Sequence, residues 1–205
     1  RQNWMANPMQ DNAIGCALSH QKIWSMISQG DKKYGVIFED DALPLFHGKK
    51  IYDDFFNKIE RLAGNVDIVF LSNRRPTRPL ISVFALSSSM NLCAIKYSGI
   101  GAESYVITKN AAKSLGRLQN KCDFEVDCLL QHWWRHGLSV LHLSPAIFGE
   151  DGRASTIGYT NELPRWPNDD IFKSILRRFN RLKDSLIKRL YFHHYLKKVK
   201  MRFKF

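Results

Sequence analysis

Long apolar runs are missing from this chain. No stretch reaches the roughly 18 to 20 apolar residues that a bilayer-spanning helix needs, and no signal-peptide pattern opens the sequence. The first residue is Arg1 rather than Met, so an upstream portion is expected. Internal repeats and low-complexity segments are absent too, which excludes solenoids and compositionally disordered chains. Cysteine is scarce: Cys16, Cys93, Cys122 and Cys128 form no CxxC pair and no zinc-ribbon spacing. Cys16 and Cys128 lie in apolar surroundings, as reduced core thiols do, and this points to a reducing compartment. A Cys122–Cys128 disulfide is the alternative.

Acidic residues are nearly missing from one region only. Between Lys173 and Phe205 twelve Lys and Arg face a single acid, Asp184, whereas the preceding residues hold nineteen basic and eighteen acidic side chains. The net charge of +12 therefore belongs to a tail, and the body is close to neutral. That placement removes the simplest nucleic-acid reading of a basic protein. A hydrophobic content of 44% over 205 residues supports one globular core. The expected division is a domain over 1–168 followed by a basic tail over 169–205.

Periodicity supplies the elements. Apolar residues at 14, 17, 18, 23, 24 and 27 predict an amphipathic helix over 12–28, capped by Asp11 or Asn12. Ile51, Phe55, Ile59 and Leu62 predict a second helix. The stretches "VIF" (36–38), "VDIVFLS" (66–72), the run through Tyr105 to Ile107, and "LSVLHLSPAIF" (138–148) read as strands. Thr108 should cap the helix that follows Ile107, and Gly137 should stop a helix that begins near Asp123. Strands that alternate with helices predict an α/β fold with a mostly parallel sheet flanked by helices.

One stretch calls for chemistry. In "VIFEDDA" (36–42) a buried strand runs straight into Glu39, Asp40 and Asp41. Adjacent carboxylates repel one another and raise each other's pKa, a cost that a cation would offset. A solvated turn or a helix cap is one reading; a hard divalent cation held by carboxylate oxygens is the other. In open α/β sheets ligands gather outside the carboxyl ends of strands, which is where this triad lies.

Four stretches together resemble glycosyltransferase family 25: "IGCALSHQKIW" (14–24), "VIFEDDA" (36–42), "GAESYVITKNAAKSL" (101–115), and "VDCLLQHWW" (126–134) with "GLSVLHLSP" (137–145). "GRASTIG" (152–158) is similar to the family's closing Ser-x-Ile element. Bacterial members build lipopolysaccharide or lipooligosaccharide, and animal relatives glycosylate collagen. The resemblance implies a GT-A-like, Rossmann-like fold that holds a UDP-sugar, UDP-galactose by preference, with Mn²⁺ or Mg²⁺. The family normally opens with a further strand–helix segment before Gly-Cys-x-x-Ser-His.

Site roles follow from the resemblance. Asp41 is the expected direct metal ligand, with Glu39 beside it; Glu39 and Asp40 act through water or on the donor's ribose and sugar. Asp127 is the expected general base or acceptor-positioning residue, although an acid there also suits a helix N-terminus, and Asp123 and Glu125 compete on chemistry alone. Ser19 and His20 would reach the donor phosphate or the acceptor, and Gly101 and Tyr105 would line the sugar pocket. Both His20 and Tyr105 also read as packed core side chains. Ser155 completes the donor-binding set. Arg74, Arg75 and Arg78 would meet phosphates or solvent. His132 and His136 share the i, i+4 spacing of a zinc pair but lack an intervening Glu and a third ligand.

The tail carries a continuous stripe of apolar residues at 171, 172, 175, 176, 179, 182, 186, 187 and 190, flanked by Lys and Arg. Such a basic amphipathic helix suits an anionic membrane surface, through residues 171–205; the other reading is that the stripe docks on its own domain. The function implied is an inverting, metal-dependent transferase acting on a lipid-linked oligosaccharide, cytoplasmic and peripheral on the inner face of the bacterial inner membrane. No nucleic-acid partner is expected. The rival reading is a non-catalytic basic membrane- or RNA-binding protein with a degenerate transferase body.

Overall fold

The computed structural model describes residues 11–62, 64–73, 79–96, 101–119, 124–152 and 171–204. The elements in chain order are α1 (Asp11–Gln29), β1 (Tyr34–Phe38), β2 (Ala42–Pro44), α2 (Lys50–Arg61), β3 (Ile68–Phe70), β4 (Leu80–Ala85) and β5 (Asn91–Ile95). There follow β6 (Ser104–Thr108), α3 (Lys109–Leu118), α4 (Val126–Gln131), α5 (Trp133–His136), β7 (Val140–Ser144), β8 (Phe148–Glu150) and α6 (Ile171–Met201).

Six strands form one mixed sheet in the order β1-β6-β3-β7-β5-β4, and β2 pairs with β8 in a separate ribbon. The α/β expectation holds, but the mostly parallel pairing needs correcting. Only β3 and β7 pair in parallel, while β1–β6, β3–β6, β5–β7 and β4–β5 are antiparallel. The physical reason lies in β6. The connection through α2 gives β1 and β3 the same direction, as a strand–helix–strand unit should. Yet β6, arriving later in the chain, slots between them in the opposite sense. The carboxyl ends of β1 and β3 therefore share an edge with the amino end of β6.

Two helical layers cover the sheet. Alternation along β6 sends Tyr105 and Ile107 to one face and Val106 to the other. On the first face α1 and α3 pack together, and Trp24, Ala111, Ala112 and Leu115 are buried. Gly35 on β1 is what allows this approach: a Cβ there would run into the Ile27 side chain of α1. On the second face Ile59 of α2 lies with Tyr34, Val69 and Val106. Thr108 caps α3 as expected, its Oγ1 accepting from the Ala111 N–H at 3.3 Å. Gly137 ends α5 at φ 71°.

The helix expected near 123–137 is broken at His132, whose φ of −83° and ψ of 56° separate α4 from α5. The C-terminal half of α6 belongs to the core. Phe192, Tyr195, Val199 and Phe203 are buried. The Tyr195 hydroxyl donates to the Val140 carbonyl and accepts from the Val140 N–H, each at 2.8 Å. Phe203 stacks on Phe84 with centroids 4.8 Å apart, and Arg202 pairs with Asp67 at 2.8 Å. The tail's single acid, Asp184, is buried and bonded through both oxygens to Arg135 at 3.0 Å. Tail and body are thus joined by apolar burial and by two ion pairs.

Candidate functional site

The site forms at the edge where β1 ends. The Glu39 N–H donates to the Glu103 carbonyl at 2.8 Å, which carries the β1–β6 ladder one residue past the strand. This fixes the Glu39 side chain over the first face, beside α1. Spacing of four along α1 sets Cys16 and His20 on the same side of that helix. His20 Nε2 lies 3.1 Å from Glu39 Oε1, and His20 Nδ1 lies 2.7 Å from the Tyr105 hydroxyl. The Trp24 indole N–H donates to the same hydroxyl at 2.9 Å. His20, Trp24 and Tyr105 are buried, whereas the Glu39 side chain keeps 25% of its surface.

Asp127, in the first turn of α4, reaches the same place. Its Oδ2 faces the Gly101 N–H at 3.4 Å and its Oδ1 accepts from the Cys128 N–H at 2.6 Å. Burial and the carboxylates of Glu39 and Asp127 push the Cys16 thiol up to about 11, so the thiol stays protonated. Gly101, at φ 94°, is the joint of the loop before β6. Its carbonyl accepts from Gln131 Nε2 at 3.2 Å, and the Glu103 carboxylate lies where a Cβ would stand. Glu103 is itself buried and accepts from the Ser72 hydroxyl at 2.8 Å.

Of the residues singled out in the sequence, the structure therefore brings together His20, Glu39, Gly101, Tyr105 and Asp127. Asp40 is exposed in the turn after β1, and Asp41 is half-buried, with its backbone carbonyl accepting from the Asp151 N–H at 3.0 Å beside the β2–β8 ribbon. Ser19 is exposed and its hydroxyl turns back to the Gly15 carbonyl at 3.0 Å. Tyr105 lies within the hydrogen-bonded core of the site, with no exposed surface for a sugar to touch. Ser155, Asp123, Cys122, Arg74, Arg75 and Arg78 lie outside the described residues.

Sequence reasoning missed Trp24 and Glu103, and it read Cys16 only as a core thiol. Trp24 gave no signal beyond its place in an apolar stripe. Glu103 did: an acid set directly before a strand with the apolar run Tyr105–Ile107 must find a partner when buried.

Two groups of possible metal ligands occur among the described residues, Cys16–His20–Glu39 and Glu125–Asp127–Cys128, each with ligand atoms within 4.8 Å of one another. Asp40 and Asp41 belong to neither. His132 and His136 do not converge on an ion. His136 Nε2 bonds the Leu130 carbonyl at 3.3 Å, and its Nδ1 accepts from the Leu138 N–H at 3.1 Å.

Residues 1–130, which include His20, Glu39, Gly101, Tyr105 and Asp127, match the sequence model of glycosyltransferase family 25, described as an LPS biosynthesis protein. The chain belongs to glycosyltransferase family 25. Among its relatives is a Haemophilus influenzae protein named as a glycosyltransferase, 29% identical over 153 residues, covering 70% of this chain and 50% of that protein. A procollagen galactosyltransferase 1-A from Xenopus laevis is 27% identical over 113 residues, covering 53% of this chain and 17% of its own. The chain thus spans half or less of the curated relatives it matches. The match to the family ends before α6.

Proposed function

We propose that this family 25 protein is an inverting, metal-dependent glycosyltransferase that moves a hexose, galactose from UDP-galactose, onto a lipopolysaccharide or lipooligosaccharide acceptor. The observation that carries this reading is the bond of Glu39 to His20 at the carboxyl edge of β1, with Asp127 near enough to act together with Glu39 on the Cys16 thiol, inside the region matched by the family. A mixed sheet with its ligand edge at that point is compatible with a GT-A-like organisation. The procollagen galactosyltransferase among its relatives supports galactose.

The reaction needs one proton removed and one leaving group stabilised. The acceptor hydroxyl attacks the anomeric carbon from the face opposite the diphosphate; the new C–O bond forms as the sugar–phosphate C–O bond breaks. Asp127 takes the hydroxyl proton, its carboxylate held in place by the N–H groups of Gly101 and Cys128. Glu39, braced by His20, binds a hydroxyl of the donor's ribose or sugar. Asp41 fits a hard cation such as Mn²⁺ or Mg²⁺ because a carboxylate is a hard donor and few protein ligands are needed beside a diphosphate, with Glu39 close behind it in sequence. When bound, that cation would neutralise charge on the departing diphosphate.

Transfer or hydrolysis of UDP-galactose should require Mn²⁺ and stop with EDTA, and Asp41→Ala should remove it without unfolding the protein. Asp127→Asn should lower turnover by about 10² or more while donor binding changes little. Turnover within a few-fold of wild type would assign Asp127 to helix stabilisation alone, and activity indifferent to EDTA would end the metal reading.

The location of the acceptor is supported by α6. Ile175, Phe179, Leu182, Leu186 and Leu190 are each 58–69% exposed, so these five side chains do not pack on their own domain. At 100° per residue their stripe faces about 140° away from the buried Phe192, Tyr195 and Val199. Arg178, Lys183 and Arg189 flank it and are exposed. No described helix is long and apolar enough to cross a membrane. The helix therefore suits the plane of an anionic bilayer surface, on the cytoplasmic face of the inner membrane, where a lipid-linked acceptor would be met.

A further inference from the structure

We propose that Tyr105 is a positioning residue: it fixes the tautomer of His20 and, through it, aims the Glu39 carboxylate at the donor. An indole N–H can only donate, so the Tyr105 oxygen accepts from Trp24. The phenol proton then has one acceptor, His20 Nδ1 at 2.7 Å. Burial holds that phenol well above its ordinary range, so the proton stays on the oxygen. With Nδ1 occupied as acceptor, a neutral imidazole must carry its hydrogen on Nε2, which faces Glu39 Oε1 at 3.1 Å. The direction of the whole chain, Trp24 to Tyr105 to His20 to Glu39, is set by its first member.

Dryness makes the chain rigid. Trp24 and Tyr105 have no exposed surface and His20 has 4%, so water cannot replace a lost partner. The imidazole also stacks on the Tyr105 ring with an interplanar angle of 11°, which holds the imidazole plane. One Glu39 oxygen is thereby committed to His20, and the other is left on a partly exposed side chain for a hydroxyl of the nucleotide-sugar.

The same polarity decides against a metal at Cys16, His20 and Glu39, although their ligand atoms are close enough. An ion on Nε2 would force the imidazole hydrogen onto Nδ1, against the Tyr105 proton, leaving a buried O–H with no acceptor. The cluster is a hydrogen-bonded anchor.

What Glu39 binds rests on the transferase reading; the direction of the chain does not. Side-chain ¹⁵N spectra of the resting protein should show His20 with a pyridine-type Nδ1 and a pyrrole-type Nε2. The reverse assignment would overturn the proposal. Calorimetric binding of UDP-galactose with Mn²⁺ tests the aim of Glu39. Tyr105→Phe should weaken binding about tenfold, and by less than about twofold when introduced into Glu39→Ala, because a chain acting only through Glu39 has nothing left to act on. Trp24→Phe, which keeps a ring at the start of the chain, should move affinity in the same direction by less. A Tyr105→Phe effect of equal size with and without Glu39 would reduce the residue to packing. If wild type itself fails to bind UDP-galactose, the transferase reading falls, and the nitrogen spectra still decide the chain.

Discussion

Lowering the pH from 7 to 5 should strip this protein of much of its stability, because the unfolded chain takes up protons that the folded one refuses. Burial lowers His132 and His142 from 6.5 to about 3, and His136 to about 4. His142 stacks on Phe70 between sheet neighbours, with centroids 4.8 Å apart. The Nδ1 of His136 already accepts from a backbone N–H, so protonation there would break that bond. A folded pKa below the unfolded one means the contribution is whole above pH 6.5. It declines as the pH falls and levels off only near the folded values of 3 to 4. At pH 5 each residue forfeits about 2 kcal/mol, since 1.5 pH units at 1.36 kcal/mol apiece separate that pH from the unfolded pKa. Three together amount to about 6 kcal/mol, a large part of the 5–15 kcal/mol typical of a domain. The midpoint of thermal unfolding should drop by about 12–24 °C. Urea titrations at pH 7 and pH 5 on wild type and His142→Phe provide the direct measurement. The variant should lose about 2 kcal/mol less than wild type between the two pH values. Equal losses in the two proteins would refute the assignment of the pH slope to buried neutral imidazoles.

Gly101→Ala places a side chain at φ 94° and against the Glu103 carboxylate. It should cost at least about 1 kcal/mol in urea unfolding and reduce turnover more than donor affinity, since the Gly101 N–H faces Asp127. Replacing Ile175, Phe179, Leu182, Leu186 and Leu190 together by Gln should leave the melting temperature near wild type, because all five are exposed. Co-sedimentation with anionic vesicles should then fall at least about tenfold, and wild-type binding should weaken as salt rises. Undiminished binding by the five-fold variant would remove the membrane reading of α6.

Much of the site could be seen in the sequence because its residues sit at points of broken pattern. Glu39 follows an apolar strand without a spacer, Gly15-Cys16-x-x-Ser19-His20 interrupts an amphipathic stripe, and Thr108 and Gly137 punctuate helices in the ordinary way. Other features gave no such signal. The hairpin of β4 and β5 was not recognised, because "SSS" between two short mixed strands lacks the glycine or asparagine of a tight turn. The antiparallel insertion of β6 has no local cause; only the completed sheet chooses it. Along α6 the apolar stripe at 175–190 drew attention away from Phe192, Tyr195 and Val199 on another face, which dock together with Phe203 just past the helix. Asp184 read as a stray charge in a basic run, and its meaning emerged only with Arg135 opposite it.

The late arrival of β6 governs how this protein can be made. β1 and β3 flank a gap that stays open until residues 104–108 have been synthesised and have left the ribosome. Until then the edges of β1 and β3 that face the gap are unpaired, and His20 and Glu39 have no Tyr105 to order them. α1, the first helix described, has to wait for a strand some eighty residues downstream before the polar atoms of its buried face are satisfied. The nascent chain is therefore most exposed to misassociation over this interval, and a pause in translation before Thr108 would prolong the hazard. Closure of that gap pairs the two open strand edges and orders His20 beside Tyr105 in a single event.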